Sequence, residues 1–442
     1  MTPTWSPLWQ HGRSRPAPRP RVARAVVRVG EPRDAHAAEC ILVDRGYTVD
    51  RGDSRSGDVL LVVDEWTPEH SSHVERARAL GVPVTVLAEL VLRSVPRPLV
   101  AATGTAGKTS TCRALAHLAR EAGRTPAISG TARSGNAWPD HSLVDPPAGA
   151  DLTIAELTST HLCHMGKVAP DVAIVTCIRP DHVELHGDIA AYISAKQRLV
   201  AHLGPRDALV LPCDDPATRI AIGPTGGTRW WFGGFRYAAG RHGAFIDGDA
   251  LLLRAPDDEV AGATHAVGTR ARSLAAAAAG ALALGIAARD VARAMGTVPA
   301  APHRMDRRMT PSGIAIIDDT MAATPLKGAA ALADAGPGDL VVVIGGDPAP
   351  GGVPVHADPA AQEALVSAVR EARRRARVLV AFGPAAAAVA AIARPDYVVG
   401  DIDEAIDTGL RHATPGGSVL VTPMFPLPPD ARERVLARAG VP

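Results

Sequence analysis

The chain has 442 residues, too many for one ordinary core, so two or three domains are expected. A formal net charge of +1 argues against a protein that coats nucleic acid or a membrane surface, so neither is expected as a partner. The 5 cysteines form no C-x-x-C pair and are odd in number, which reads as reduced thiols in a cytoplasmic protein.

Residues 1–21, MTPTWSPLWQHGRSRPAPRPR, are basic and Pro-rich without the apolar stretch of a secretory signal, and a disordered tail is expected there. From 22 to 96, apolar strands (ARAVVRVG, DVLLVVDE) alternate with helical stretches (AHAAECILVDRG, HVERARALG), the pattern of a parallel sheet flanked by helices. SVPRP reads as a linker, because its prolines cannot continue a helix. A second block, 97–300, holds the strands ADLTIAELTS and DVAIVTCI and a β-rich segment around Trp230 and Trp231. It ends with LAAAAAGALALGIAA from Leu274, too short and too Ala-rich to span a bilayer and therefore expected as a buried helix. The third block, 301–442, opens at APHRMDRR and alternates again through GIAIIDDT, DLVVVIGGD, ARVLVAFG and GSVLVTP. The expected fold class is α/β, in three domains.

In LVAATGTAGKTSTCRALAHLAREAG, residues 99–123, an apolar run is followed by small residues around a lysine and then by a helix-like stretch. A helix N-terminus after a buried strand presents unpaired N–H groups and a positive dipole end to an anion. Gly104 and Gly107 let the backbone wrap a phosphate closely, Lys108 reaches the outer phosphates, and the Thr109 hydroxyl is placed for Mg²⁺. The general phosphate-loop pattern wants a glycine where Ala102 stands. Two further stretches join the loop. AELTSTHL puts Glu156 at the C-terminal end of an apolar strand, where α/β sheets gather ligands. IRPDHVELHG, followed by YISAKQRL, puts Asp181 and His182 after another strand and Lys196 on the following helix. Beside a phosphate loop, this set points to a metal site bridging nucleotide and acceptor.

In this order and rough spacing, TGTAGKTST, AELTSTHL, IRPDHVELHG, YISAKQRL, PHRMD, IDDT and VIGGD resemble the Mur ligases over roughly residues 25 to 425. The resemblance implies Rossmann-like N- and C-terminal domains around a central P-loop ATPase domain. It implies ATP-driven joining of an amine or amino acid to a carboxylate, nucleotide-linked in the family, through an acyl phosphate. Nucleotide contacts fall on Thr103, Gly104, Thr105, Gly107, Lys108, Thr109 and Ser110, with Arg304 and Asp319 reaching over from the third domain. Two Mg²⁺ ions fall to Thr109, Glu156, His182 and Lys196, the last as a carbamate formed with CO₂. Lys108, Glu156, His182 and Lys196 are the catalytic set, and a monomer is expected.

Departures from the family pattern cluster by function. Arg270, Ala271 and Leu274 stand where His, Asn and Asn read adenine in the family, and Ala or Leu cannot reproduce an amide's pairing. Only Gly30 remains of the N-terminal glycine-rich loop, and Pro32 removes a donor there. Met321, Ala323, Thr324 and Ala349 replace the residues expected around the amino-acid carboxylates. Three readings stay open: an amide ligase with a changed acceptor and amine, the D-glutamate-adding step of peptidoglycan synthesis, and a non-catalytic nucleotide-binding relative.

Overall fold

The computed structural model describes residues 23–30, 32–129, 148–166, 168–181, 183–263, 268–352, 354–356, 359–438 and 440. The expected tail at 1–21 lies outside them. The chain forms two compact units, Met1–Arg93 with His164–Gly166, and Ser94–Cys163 with Lys167–Pro442.

In the first unit, strands Tyr47–Asp50, Ala23–Arg28, Leu60–Val63 and Val84–Val86 lie side by side in that order, all parallel. Ala25, Val27 and Val62 pack against Ala38 and Leu42 of the Pro32–Asp44 helix, so the strand–helix alternation seen in the sequence folds as a half-open α/β layer.

The second unit carries two sheets. The first has nine strands. Its parallel part contains Pro126–Ser129, Leu152–Glu156, Leu99–Thr103, Val172–Val175 and Ala208–Pro212 as neighbours. Each of these strands is buried on both faces, as continuous apolar runs require. The segment around Trp230 and Trp231 extends the sheet through Thr228–Gly234 and Gly243–Asp247, then closes it with the antiparallel pair Ala250–Ala255 and Asp258–Ala263. The second sheet has six strands, parallel except for the edge strand Asp306–Met309.

The Ala-rich run is the helix Gly268–Ala283, packed against the helix Lys108–Glu121 that follows the phosphate loop. Ala275, Ala276, Ala277, Ala278 and Ala279 have no exposed surface, and small side chains let the helix approach the sheet closely. A Cβ on Gly280 would already lie 2.8 Å from Ile174 Cδ1. No helix among the described residues is long and apolar enough to cross a membrane.

Overpacking this contact is expected to cost stability. Gly280→Leu should lower the unfolding free energy by about 1–3 kcal/mol, read as a lower urea midpoint at unchanged m-value. An unshifted midpoint would show that the helix has room to move away.

Candidate active site

The phosphate loop leaves the strand Leu99–Thr103 and enters the helix at Lys108. Gly104 and Gly107 have φ of 150° and 84°, and a Cβ on Gly104 would lie 1.9 Å from Thr176 Oγ1. The loop is therefore pressed against the segment after the strand Val172–Val175. Thr105 N donates to Cys177 O at 2.8 Å, and Thr176 Oγ1 donates to Ala106 O at 2.5 Å. Thr105, expected to contact nucleotide, also braces the loop. Its hydroxyl accepts from Arg179 N at 2.9 Å and shares a 2.7 Å hydrogen bond with Tyr192. Ser110 lies on the first turn of the helix and lines the cavity described below.

Two lysines converge on the loop. Lys108 Nζ donates to Gly104 O at 2.8 Å, and Lys196 Nζ donates to the same oxygen at 3.1 Å and to Thr103 Oγ1 at 3.4 Å. Lys196 is 1% exposed, on the helix Ile189–Gln197, whose N-cap Asp188 accepts from Ala191 N. Its ammonium lies over the Tyr192 ring, 4.7 Å from the centroid. Burial, and then the charge of Lys108, hold the Lys196 pKa well below the ordinary lysine value, which favours the unprotonated amine.

Glu156 ends the strand Leu152–Glu156, in register with Ala102, and is 3% exposed. Its Oε2 is buried and has no hydrogen-bond donor among the described residues. A buried carboxylate oxygen without a donor is costly, and a divalent cation satisfies it. The oxygens of Glu156 and Thr109 are hard donors of the kind Mg²⁺ takes, so these two residues fit that ion. His182 lies outside the described residues.

The segment 303–305 brings the third block to the loop. Arg304 Nη2 donates to Thr109 Oγ1 at 3.2 Å, so this hydroxyl is already engaged from the far side. His303 and Met305 have φ of 57° and 50°. His303 Nδ1 lies 2.7 Å from the fully buried Asp318, which raises the histidine pKa, and Met305 N donates to Asp319 Oδ1 at 3.1 Å. Burial pushes the Asp319 pKa up to about 8, although Arg304 pulls it down.

Gly107, Ser110, Arg272, Arg304, Asp319 and Lys327 line one cavity of about 440 Å³. The structure thus brings loop, Arg304 and Asp319 together, and adds two groups that the sequence reading missed. Arg272 pairs in bidentate fashion with Asp214, both contacts at 2.9 Å, and Lys327 faces the phosphate end from the helix Pro325–Asp334. An arginine and an aspartate 58 residues apart leave no local signal. A wider open groove of about 640 Å³, near Arg370 and Arg373, contains none of these residues.

The profile of the Mur ligase middle domain matches residues 102–235, and that of the Mur ligase, glutamate ligase domain matches 303–425, together more than half the chain. The chain belongs to the Mur ligase family. It is 29% identical over 416 residues to the UDP-N-acetylmuramoylalanine–D-glutamate ligase of Pelotomaculum thermopropionicum, covering 89% of this chain and 84% of that one. With the ligase of the same name from Roseiflexus sp. it is 30% identical over 292 residues, 62% of this chain but only 60% of the relative. The MurF ligase of Thermotoga maritima in complex with ADP shares the fold, with TM-score 0.61 at 18% identity, over 95% of this chain and 94% of that one.

Within this Mur ligase the adenine-reading positions carry no amide. Ala271 and Leu274 are buried in the core of the middle sheet, and Arg270 donates to Val298 O at 2.9 Å. In the N-terminal unit the Gly30 amide donates to Asp64 Oδ2 at 3.3 Å, so its one remaining glycine N–H is directed at a carboxylate. Met321 is buried against Arg432, whose Nη1 lies 3.1 Å from Sδ.

The raised pKa of Asp319 has a defined sign. Between about 3.8 and 8 the unfolded carboxyl is ionised while the folded one keeps its proton, so stability falls as pH rises through that window. Asp319→Asn should flatten this slope in urea titrations at a series of pH values. An unchanged slope would place the ionisation elsewhere.

Proposed function

We propose that this protein is an ATP-dependent carboxylate–amine ligase that works through an acyl phosphate, with a carboxylate and an amine that differ from those of the D-glutamate ligases. The observation that carries the proposal is the convergence of Lys108 and Lys196 on Gly104 O beside the donor-less oxygen of Glu156. The triphosphate lies along the loop N–H groups at the start of the Lys108–Glu121 helix, and Lys108 steadies the transferring phosphoryl group as its charge develops. Mg²⁺, held by Thr109 and Glu156 and at a second position by Lys196 and His182, supplies Lewis-acid neutralisation of phosphate and acyl oxygens. Lys196 takes part as a carbamate. Its ammonium first gives up a proton, which the lowered pKa favours; the free amine then attacks CO₂ and releases a second proton to solvent, leaving an anionic oxygen ligand in place of a cation. The carboxylate oxygen attacks the terminal phosphorus and ADP leaves; the amine then attacks the acyl carbon, phosphate leaves, and the ammonium proton passes to solvent. Arg304 and Asp319 hold the nucleotide from the third block, which with 22–96 and 97–300 makes three domains. A cytoplasmic monomer completes the reading.

A second reading, the D-glutamate-adding step of peptidoglycan synthesis with a nucleotide-linked acceptor, is favoured by the relatives' names. Against it stand Met321 and Ala349, which offer no charge to a glutamate side chain.

Product mass spectrometry with ATP, Mg²⁺ and a panel of carboxylates and amines, including the UDP-linked muramoyl-alanine and D-glutamate pair, tests both readings. A ligated product with stoichiometric ADP and phosphate is expected for a pair other than that one. Lys196→Ala should abolish turnover while nucleotide binding persists; full activity in that variant without bicarbonate or added carboxylate would remove Lys196 from the chemistry. ATP and GTP should bind within about tenfold of each other (~1.4 kcal/mol), because Ala271 and Leu274 supply no amide. A larger preference for ATP in calorimetry would locate the base readout in other residues.

A further inference from the structure

We propose that Lys327 is a phosphate-binding residue of the nucleotide site, a cation supplied by the helix Pro325–Asp334 that pairs with the terminal phosphoryl group of a bound nucleoside triphosphate. This rests on the reading of the cavity as a nucleotide site. Lys327 sits in the first turn of its helix, where the N-cap Thr324 makes no side-chain cap bond. A cation there faces the positive end of the helix dipole and is opposed by it unless an anion is near. The side chain is only partly exposed and lines the same cavity as Gly107 and Ser110. The charged groups acting on it are Asp181 and Glu156, which attract it, and Lys108 and Arg304, which repel it. Among the described residues its ammonium makes no hydrogen bond or ion pair.

Lys108 and Arg304 thus act on Lys327 as neighbouring positive charges, against the carboxylates of Asp181 and Glu156, and Arg304 and Lys327 both line the cavity. Placing Mg²⁺ on Glu156 would add further positive charge. The local balance then lacks an anion, and a phosphoryl dianion supplies it. Inner phosphates lie against the loop amides of the Lys108–Glu121 helix. Lys327 comes from a different helix and is close enough to Lys108 and Glu156 to feel their charges, which suits it to the outer phosphate. Burial lowers its pKa, and Lys108 and Arg304 lower it further against the pull of Asp181; a bound dianion reverses that shift and fixes the proton. Because Met321 and Ala349 carry no charge, Lys327 is the cation that the C-terminal sheet's first helix brings to the site.

The test is calorimetric titration of the full-length protein, with Mg²⁺, by ADP and by the non-hydrolysable triphosphate AMP-PNP. Lys327→Gln should weaken AMP-PNP binding by about tenfold or more and leave ADP affinity within about twofold, whereas Lys327→Arg should keep the wild-type ratio of the two affinities. Unchanged AMP-PNP affinity in Lys327→Gln overturns the proposal. Equal losses for both nucleotides overturn it as well, since a merely structural lysine does not distinguish the terminal phosphate. Wild-type protein that binds neither nucleotide overturns the nucleotide reading itself, a result separable from any effect of the substitution.

Discussion

The site is organised around one carbonyl oxygen, Gly104 O, to which Lys108 and Lys196 both donate. Two unit charges about 4 Å apart repel by about 4 kcal/mol at an effective dielectric constant of ~20, so two ammoniums cannot share this position cheaply. Lys196, being fully enclosed, is the one whose pKa is driven down, by burial first and then by the charge of Lys108. Everything around the oxygen serves to hold it there. Gly104 takes a conformation closed to other residues, Thr176 fills the space a Cβ would need, and Thr105 ties the loop to Tyr192 and Arg179. The donor-less glutamate oxygen and the enclosed lysine give the site two ways to become anionic where metal is needed: the carboxylate already present and, on the proposed mechanism, a carbamate.

The third block reaches the same loop through a short, strained segment. His303 and Met305 occupy left-handed backbone at a cost of order 1–3 kcal/mol each. The ion pair of His303 with buried Asp318 and the Met305 amide bond to Asp319 offset that cost. The strain turns Arg304 toward Thr109 and sets Asp319 on the cavity wall. In consequence the first turn of the next helix, with Lys327, faces the phosphate loop, and the third block contributes charge as well as coverage.

The sequence made the middle of this arrangement legible, and for local reasons. The phosphate loop is a run of neighbours whose glycines have a backbone task. Glu156 stands where an apolar run stops, and the Ala-rich stretch has the composition of a helix enclosed on all sides. The bracing use of Thr105 was not legible, because its partner Tyr192 lies far along the chain. Lys327 and the Arg272–Asp214 pair were invisible for a related reason: each becomes part of the site only when separate segments meet. The reading that lysines are missing after IDDT is right for Met321 and Ala349, and it overlooks a lysine that the helix turn carries back to the cavity.

The account stands most directly on the state of Lys196. The full-length protein, equilibrated with Mg²⁺, nucleotide and ¹³C-bicarbonate, should show a carbamate carbon resonance that disappears in Lys196→Ala and persists in Lys327→Gln. A spectrum without that resonance, or one in which it survives the loss of Lys196, would contradict the role of this buried lysine as the site's second source of negative charge.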